Sequence, residues 1–361
     1  MIRNTLVSGL VILVAFVVLA NSASADLLFD SSDVLNVTIE APMRQLIRKM
    51  ERKPEFDAVL RYQDESGDEQ VLPVKLATRG NSRLEACEFP PLRLIIDAGQ
   101  AGGTLFAGQH KLKMVTQCAR SSYGKDWLFL ELGIYRAYNV ITDYSYRVRE
   151  LRVTYRDSES QRWERIQPAF IIEATGEVAR RLQRKSIRPP SVKVEQYSAV
   201  ESANNLLFQY LIGNTDFAIK RGPSGEGCCH NGRVLATPGT QNDWVALPYD
   251  FDQAGLINTK YALPSEQFSI RRVTTRLYRG FCSHNDVLED TINLFNQRRE
   301  GITAALISPE LKKRKFERSH KYVDDFYEII NDPGKLQEQI LNKCRGPRSA
   351  SVRKTNMSSV E

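Results

Sequence analysis

The chain has 361 residues, 42% of them hydrophobic, enough for a large core in one two-lobed domain or two ordinary ones. Its formal charge of +7 is the difference between 50 basic and 43 acidic residues mixed along the length. Charge that diluted speaks against a dedicated nucleic-acid binder, which concentrates its basic residues in one stripe, and leaves anionic phosphate ligands open.

In chain order, Arg3 precedes an apolar stretch from Leu6 to Ala20 and the small residues Asn21 to Ala25, with Ala23-Ser24-Ala25 in the A-x-A form of a cleavage site. That is the layout of a secretory signal peptide (1–25) and predicts a mature form that starts at Asp26, periplasmic or secreted, without a transmembrane segment. Val34 to Ile39 reads as a strand and Met43 to Arg52 as an amphipathic helix. Strand patterns follow at Phe56 to Tyr62, Gln70 to Ala77, Leu92 to Asp97 and His110 to Val115, so the first part is mainly antiparallel sheet. Asp126 is placed to cap a helix from Trp127 to about Val140 that is apolar nearly all round and must be buried. Glu131 inside it then needs a cationic partner. Leu151 to Tyr155 and Ile166 to Glu173 read as a hairpin that closes the first lobe.

Beyond Glu173 the pattern turns helical: Val178 to Lys185, Val200 to Ile212, Asp286 to Leu306 and Pro309 to Leu341, with short strands near Val234 and from Val245 to Phe251. The Ser-, Arg- and Lys-rich tail, 344–361, reads as disordered. The expected domains are thus 26–173, β-rich, and 174–343, helical.

Six cysteines in an exported chain read first as disulfides. Cys87 and Cys118 flank sheet segments of the first lobe and are the expected pair; Cys228, Cys229, Cys282 and Cys344 serve the second, and Cys228 is not expected to pair with its neighbour. Zinc on Cys228-Cys229-His230 and Cys282-Ser283-His284 is the alternative, weakened by the lack of C-x-x-C spacing.

The Val200 to Ile212 helix stops at Gly213-Asn214 and presents Thr215-Asp216 in a turn. Strand alternation from Val245 puts Asp250 and Asp252 on one face, as a pair suited to a cation. A lysine strand, a helix glutamate, a loop aspartate, an asparagine and a late aspartate is the order of parts in protein-kinase-type phosphotransferases.

The same residues resemble the spore-coat CotH-type atypical kinases and, more distantly, HipA-type kinases. The likeness lies in Arg79-Gly80-Asn81-Ser82, the Glu131 helix ending Tyr-Arg-Ala-Tyr-Asn, Phe170 to Glu173, Leu211 to Asp216, and Tyr249-Asp250-Phe251-Asp252. It spans about Leu76 to Gly255. What the resemblance implies is an α+β, two-lobed protein-kinase-like fold with its hinge near Glu173. Asp216 becomes the catalytic aspartate, and Asn231, Asp250 and Asp252 hold Mg²⁺ or Mn²⁺. Lys113 or Lys111, paired with Glu131, clamps the ATP phosphates, with Arg79 and Glu173 on the nucleotide side. No HRD triplet precedes Asp216, and the gap to Asn231 carries a glycine-rich insertion. The implied activity is phosphoryl transfer from ATP to a hydroxyl, on a secreted or surface protein. Two other readings stand beside it: a non-catalytic binding or assembly protein of the cell exterior, and a metal-dependent hydrolase using Asp250, Asp252 and His230.

Overall fold

The computed structural model describes residues 27–347. The predicted export signal, 1–25, lies outside the described residues, as does the predicted disordered tail beyond 347; the start of that tail is instead held in place, with Cys344 bonded to Cys282 and the Arg345 carbonyl accepting the Cys282 amide at 3.0 Å. Seven strands form a closed barrel in the order β1-β2-β3-β4-β5-β7-β6: β1 (Leu35–Ala41), β2 (Glu55–Gln63), β3 (Glu69–Thr78), β4 (Leu92–Ile96), β5 (Lys111–Thr116), β6 (Val148–Asp157) and β7 (Ser160–Ile172). All neighbours are antiparallel except β1 and β6, which run parallel from Leu35 opposite Leu151 to Ala41 opposite Asp157. That long-range pairing gives β1 a partner on each side and removes the free edges of the sheet.

The expected two-lobed protein-kinase fold is corrected by this closure. A mixed seven-stranded barrel is not a kinase lobe arrangement. Inward side chains at alternate positions, among them Val37, Ile39, Leu60, Leu76, Leu94, Leu112, Val153 and Tyr155, fill the barrel.

A second core joins the barrel to the helices. The Ser122–Ile141 helix, two turns of it buried on every side, packs against the ends of β5 and β7, the Ala199–Ile212 helix and the Arg299–Leu306 helix. It begins at Ser122 rather than after Asp126, whose carboxylate instead receives the Lys312 amide at 3.1 Å. Gly133 allows the close approach of the Arg299–Leu306 helix, because a Cβ there would lie 2.7 Å from the carbonyl oxygens of Ala305 and Leu306.

A small sheet, β8 (Lys185–Ile187), β9 (Gly232–Ala236) and β10 (Val245–Pro248), follows the barrel. The predicted Val178 to Lys185 helix ends earlier, at Arg181, and Lys185 opens β8. The predicted strand to Phe251 stops at Pro248, and Asp250 turns into the left-handed region at φ +64°.

All six cysteines are paired. Cys87–Cys118 forms as expected, and Cys282–Cys344 joins the helical part across 62 residues. Cys228 pairs with Cys229, against the expectation that adjacent cysteines splay apart: a cis peptide bond between them sets their Cα atoms 3.0 Å apart. With every thiol so used, the zinc alternative loses its sulfur ligands.

Candidate functional site

Asp216 sits in the turn after the Ala199–Ile212 helix, which ends on Gly213 at φ +63°. A Cβ on Gly213 would collide with the Tyr322 hydroxyl, so the sharp exit needs glycine. Three contacts hold the turn. The Asp216 amide donates to Asn214 Oδ1 (3.0 Å), and the buried Arg279 guanidinium donates to the carbonyls of Thr215 (2.8 Å) and Phe217 (2.5 Å). Arg279 carries no carboxylate partner in these bonds; its work is to fix the backbone on both sides of Asp216.

The chain then leaves through the glycine-rich loop and returns beside its starting point. Ala218 and His230 exchange backbone hydrogen bonds of 3.0 Å in both directions. This bridge sets the next residues over Asp216: Asn231 Nδ2 donates to Asp216 Oδ2 (2.9 Å) and to the Asp216 carbonyl (2.8 Å), and His230 Nε2 lies 2.9 Å from Asp216 Oδ1. The Asp216 hydrogen bond pushes His230 up from its ordinary pKa. Because its amide nitrogen is committed to Asp216, Asn231 keeps its carbonyl oxygen as the atom available to a cation. Asp216 remains about two-fifths exposed, open to an incoming group.

A second group of charges is a buried ionic cluster. Arg83, on the short Ser82–Ala86 helix, spans two carboxylates, with Nη2 2.6 Å from Glu131 Oε2 and Nε 2.8 Å from Asp252 Oδ2. The Tyr261 hydroxyl adds a third bond, 3.2 Å to the same Asp252 oxygen. Burial pushes the Glu131 carboxyl up to about 7 against the pull of Arg83, with Asp252 and Asp250 pushing the same way. One guanidinium shared by two acids leaves a net negative centre. The expected Glu131 partner was Lys113 or Lys111; the structure gives that place to Arg83.

Asp250 stands at the rim, its amide donating to the Tyr135 hydroxyl at 3.0 Å. Strand alternation cannot relate it to Asp252, since the strand has ended at Pro248 and Asp250 is in a left-handed turn. It shows part of its surface yet is enclosed on most sides, and burial followed by the Asp252 charge pushes its carboxyl up. Arg83, Arg79 and Lys113 pull the other way. Lys113 Nζ lies 4.0 Å from the Tyr249 ring centre, and the Arg233 guanidinium lies 4.8 Å from the same centre. Burial, then the like charges of Arg79 and Arg233, push Lys113 down to about 7.

The sequence-predicted residues therefore divide. Asp216 and Asn231 are hydrogen-bonded, Glu131 and Asp252 share Arg83, and Asp250, Lys113 and Arg79 interact through their charges. Lys111 starts the same strand but is exposed and makes no ion pair or ring contact among the described residues. Glu173 is fully buried and committed elsewhere: both its oxygens are taken by Arg147 and Arg181 at 3.0 to 3.1 Å. Sequence reasoning missed Arg83, Arg233, Tyr261 and Arg279. The buried Glu131 signalled that some cation must face it, and Arg83 follows immediately on the singled-out 79–82 segment.

Among the described residues no three His, Cys, Asp or Glu side chains form a ready metal cage. The oxygen donors nearest to such a role are the Asp250 and Asp252 carboxylates, which interact through their charges, and the Asn231 side-chain oxygen; hard oxygens of this kind suit Mg²⁺ completed by phosphate and water. No family model matches the chain, and no curated protein or solved structure does either.

Proposed function

We propose that this protein is an extracytoplasmic, Mg²⁺-dependent phosphotransferase that moves a phosphoryl group from ATP to a hydroxyl on a secreted or surface protein. The observation that carries the reading is the grip of Asn231 Nδ2 on Asp216. It holds a partly exposed carboxylate in one orientation and leaves the asparagine oxygen uncommitted to Asp216. The order of motifs shared with the CotH-type kinases supports the same activity on a different frame.

In this reading Asp216 accepts the proton of the acceptor hydroxyl as its oxygen attacks the γ-phosphorus and the bond to the ADP oxygen breaks. Asp250, Asp252 and Asn231 would hold Mg²⁺, which neutralises charge on the phosphates. Lys113 and Arg79 face the same phosphates from the barrel side. His230 orients Asp216 through its second oxygen. Export is supported by the three disulfides and by the signal-like opening, and no helix of the described residues is long and apolar enough to cross a membrane.

The test is thermal unfolding of the secreted protein with ATP, with Mg²⁺ or Mn²⁺, and with both. Ligand binding to the native state raises the midpoint. A rise only when nucleotide and metal are present together supports the reading. No rise under any condition favours the binding or assembly protein instead.

A further inference from the structure

On the barrel's outer surface, away from the Asp216 turn, four arginines line a hollow of about 390 Å³ with Ile47, Trp163 and Glu88. Arg44 and Arg48 stand one helical turn apart on the Met43–Arg48 helix. Arg165 and Trp163 leave the same face of β7 two residues apart. Arg120 comes from the segment after Cys118. The Cys87–Cys118 disulfide ties that segment to Glu88 and Phe89, whose amide bonds the Cys118 carbonyl at 3.2 Å. The wall is therefore anchored to a covalent staple and to the barrel itself.

The charge in this hollow is not spent internally. None of Arg44, Arg48, Arg120 and Arg165 has a carboxylate at ion-pair distance among the described residues, and four arginines face one glutamate. Glu88 accepts only the Arg120 backbone amide, at 3.4 Å, and the buried Asp157 beneath the helix accepts the Arg44 amide at 2.7 Å. The Arg165 guanidinium sits over the Phe89 ring, 5.0 Å from its centre. Like-charged guanidinium groups gathered without counter-ions cost folding energy, and an anion that enters them recovers it.

We propose that this hollow binds a sugar carrying sulfate or phosphate esters, as a site on an anionic polysaccharide outside the cell. The forked guanidinium groups match tetrahedral oxyanions two bonds at a time. The half-buried Trp163 indole supplies the flat apolar wall on which the C–H face of a sugar ring stacks, and the hollow is wide enough for such a ring. An extended acidic peptide would use the charges but leave the indole wall uncovered.

The probes are a heparin octasaccharide for sulfate esters, a pentamannose phosphate for phosphate esters, a hyaluronan octasaccharide with carboxylates alone, and a short polyglutamate. Binding is read by calorimetry on the secreted protein at physiological salt. Arg44→Gln with Arg48→Gln is compared with the same charge loss at the exposed Arg271 and Arg272, so that the general basicity of the chain is controlled. The expected result is binding of the heparin or the phosphorylated sugar, weakened about tenfold or more by the Arg44 and Arg48 changes and within about twofold of wild type for the Arg271 and Arg272 pair. Which of the two sugars binds identifies the ester. Equal loss from both pairs, or binding of hyaluronan or polyglutamate as tight as that of the esters, or no binding of either ester, overturns the proposal.

Discussion

Asn231 and Asp216, fifteen residues apart, meet through two hydrogen bonds from one amide nitrogen, 2.8 Å to the Asp216 carbonyl and 2.9 Å to its carboxylate. The pair ties the loop aspartate to the start of β9, and the Asn231 backbone carbonyl accepts the Tyr249 amide, next to Asp250, at 3.2 Å. Asn231 itself takes up φ +47°, a conformation asparagine tolerates better than most residues. Asn231→Ala should cut turnover and weaken metal-dependent nucleotide binding together, because it frees Asp216 and removes an oxygen ligand. A turnover and calorimetry series on the variant checks this, and an effect on neither quantity would contradict the assignment.

Arg83 is the counter-ion of the buried cluster. Arg83→Met leaves Glu131 and Asp252 facing each other without a cation and should cost about 3 to 5 kcal/mol of stability. Arg83→Lys should recover only part of it, since an ammonium group does not reproduce the fork that reaches both acids. Urea denaturation of the three proteins measures the ordering.

Lys113 gives the account a pH signature. In the free protein it loses its proton near pH 7, pushed down first by burial. Phosphate beside it favours the charged form, so its pKa rises on binding. Below about pH 7 the lysine is protonated in both states and affinity is flat; above that, binding takes up a proton and affinity falls by at most about tenfold per pH unit. Calorimetry at pH 8 in two buffers of different ionisation enthalpy reads the uptake. Lys113→Met should abolish it.

Glu173 separates structure from chemistry. Its oxygens hold Arg147 and Arg181 at the junction of β6, β7 and the Thr175–Arg181 helix. Glu173→Gln should lower stability by about 3 kcal/mol, the low end for a buried pair because both arginines are partly exposed. Nucleotide affinity of the folded fraction should stay within about twofold. A loss of affinity without loss of stability would return Glu173 to the nucleotide side.

The sequence reading and the structure agree where the signal was local. Period-two alternation located β2 and β3 to within a residue or two, because each strand has one face in the barrel and one in water. The Ser122–Ile141 helix was legible from an apolar run that only a buried helix explains. What was not legible depended on distant partners. Nothing in Leu35 to Ala41 reveals that its second neighbour is Leu151 to Asp157, and that parallel pairing closes the expected antiparallel sheet into a barrel. The Arg83 bridge is hidden for the same reason: Glu131 and Asp252 lie 48 and 169 residues away from it. Asp250 and Asp252 were read together for a reason that fails, strand alternation: the strand ends at Pro248, and the two interact through their charges from the turn that follows it. The Cys228–Cys229 pair ran against the expectation that neighbouring cysteines splay apart.

The most direct test is transfer of phosphate from labelled ATP, to the protein itself or to a candidate secreted acceptor, by wild type and Asp216→Asn, with ATP affinity measured for both in the presence of Mg²⁺. The isosteric amide keeps the turn but cannot accept the proton of the acceptor hydroxyl. Turnover should fall by roughly 10²-fold to 10⁴-fold while ATP affinity stays within a few-fold. Wild-type protein that binds ATP with Mg²⁺ and transfers phosphate no faster than Asp216→Asn would contradict the account.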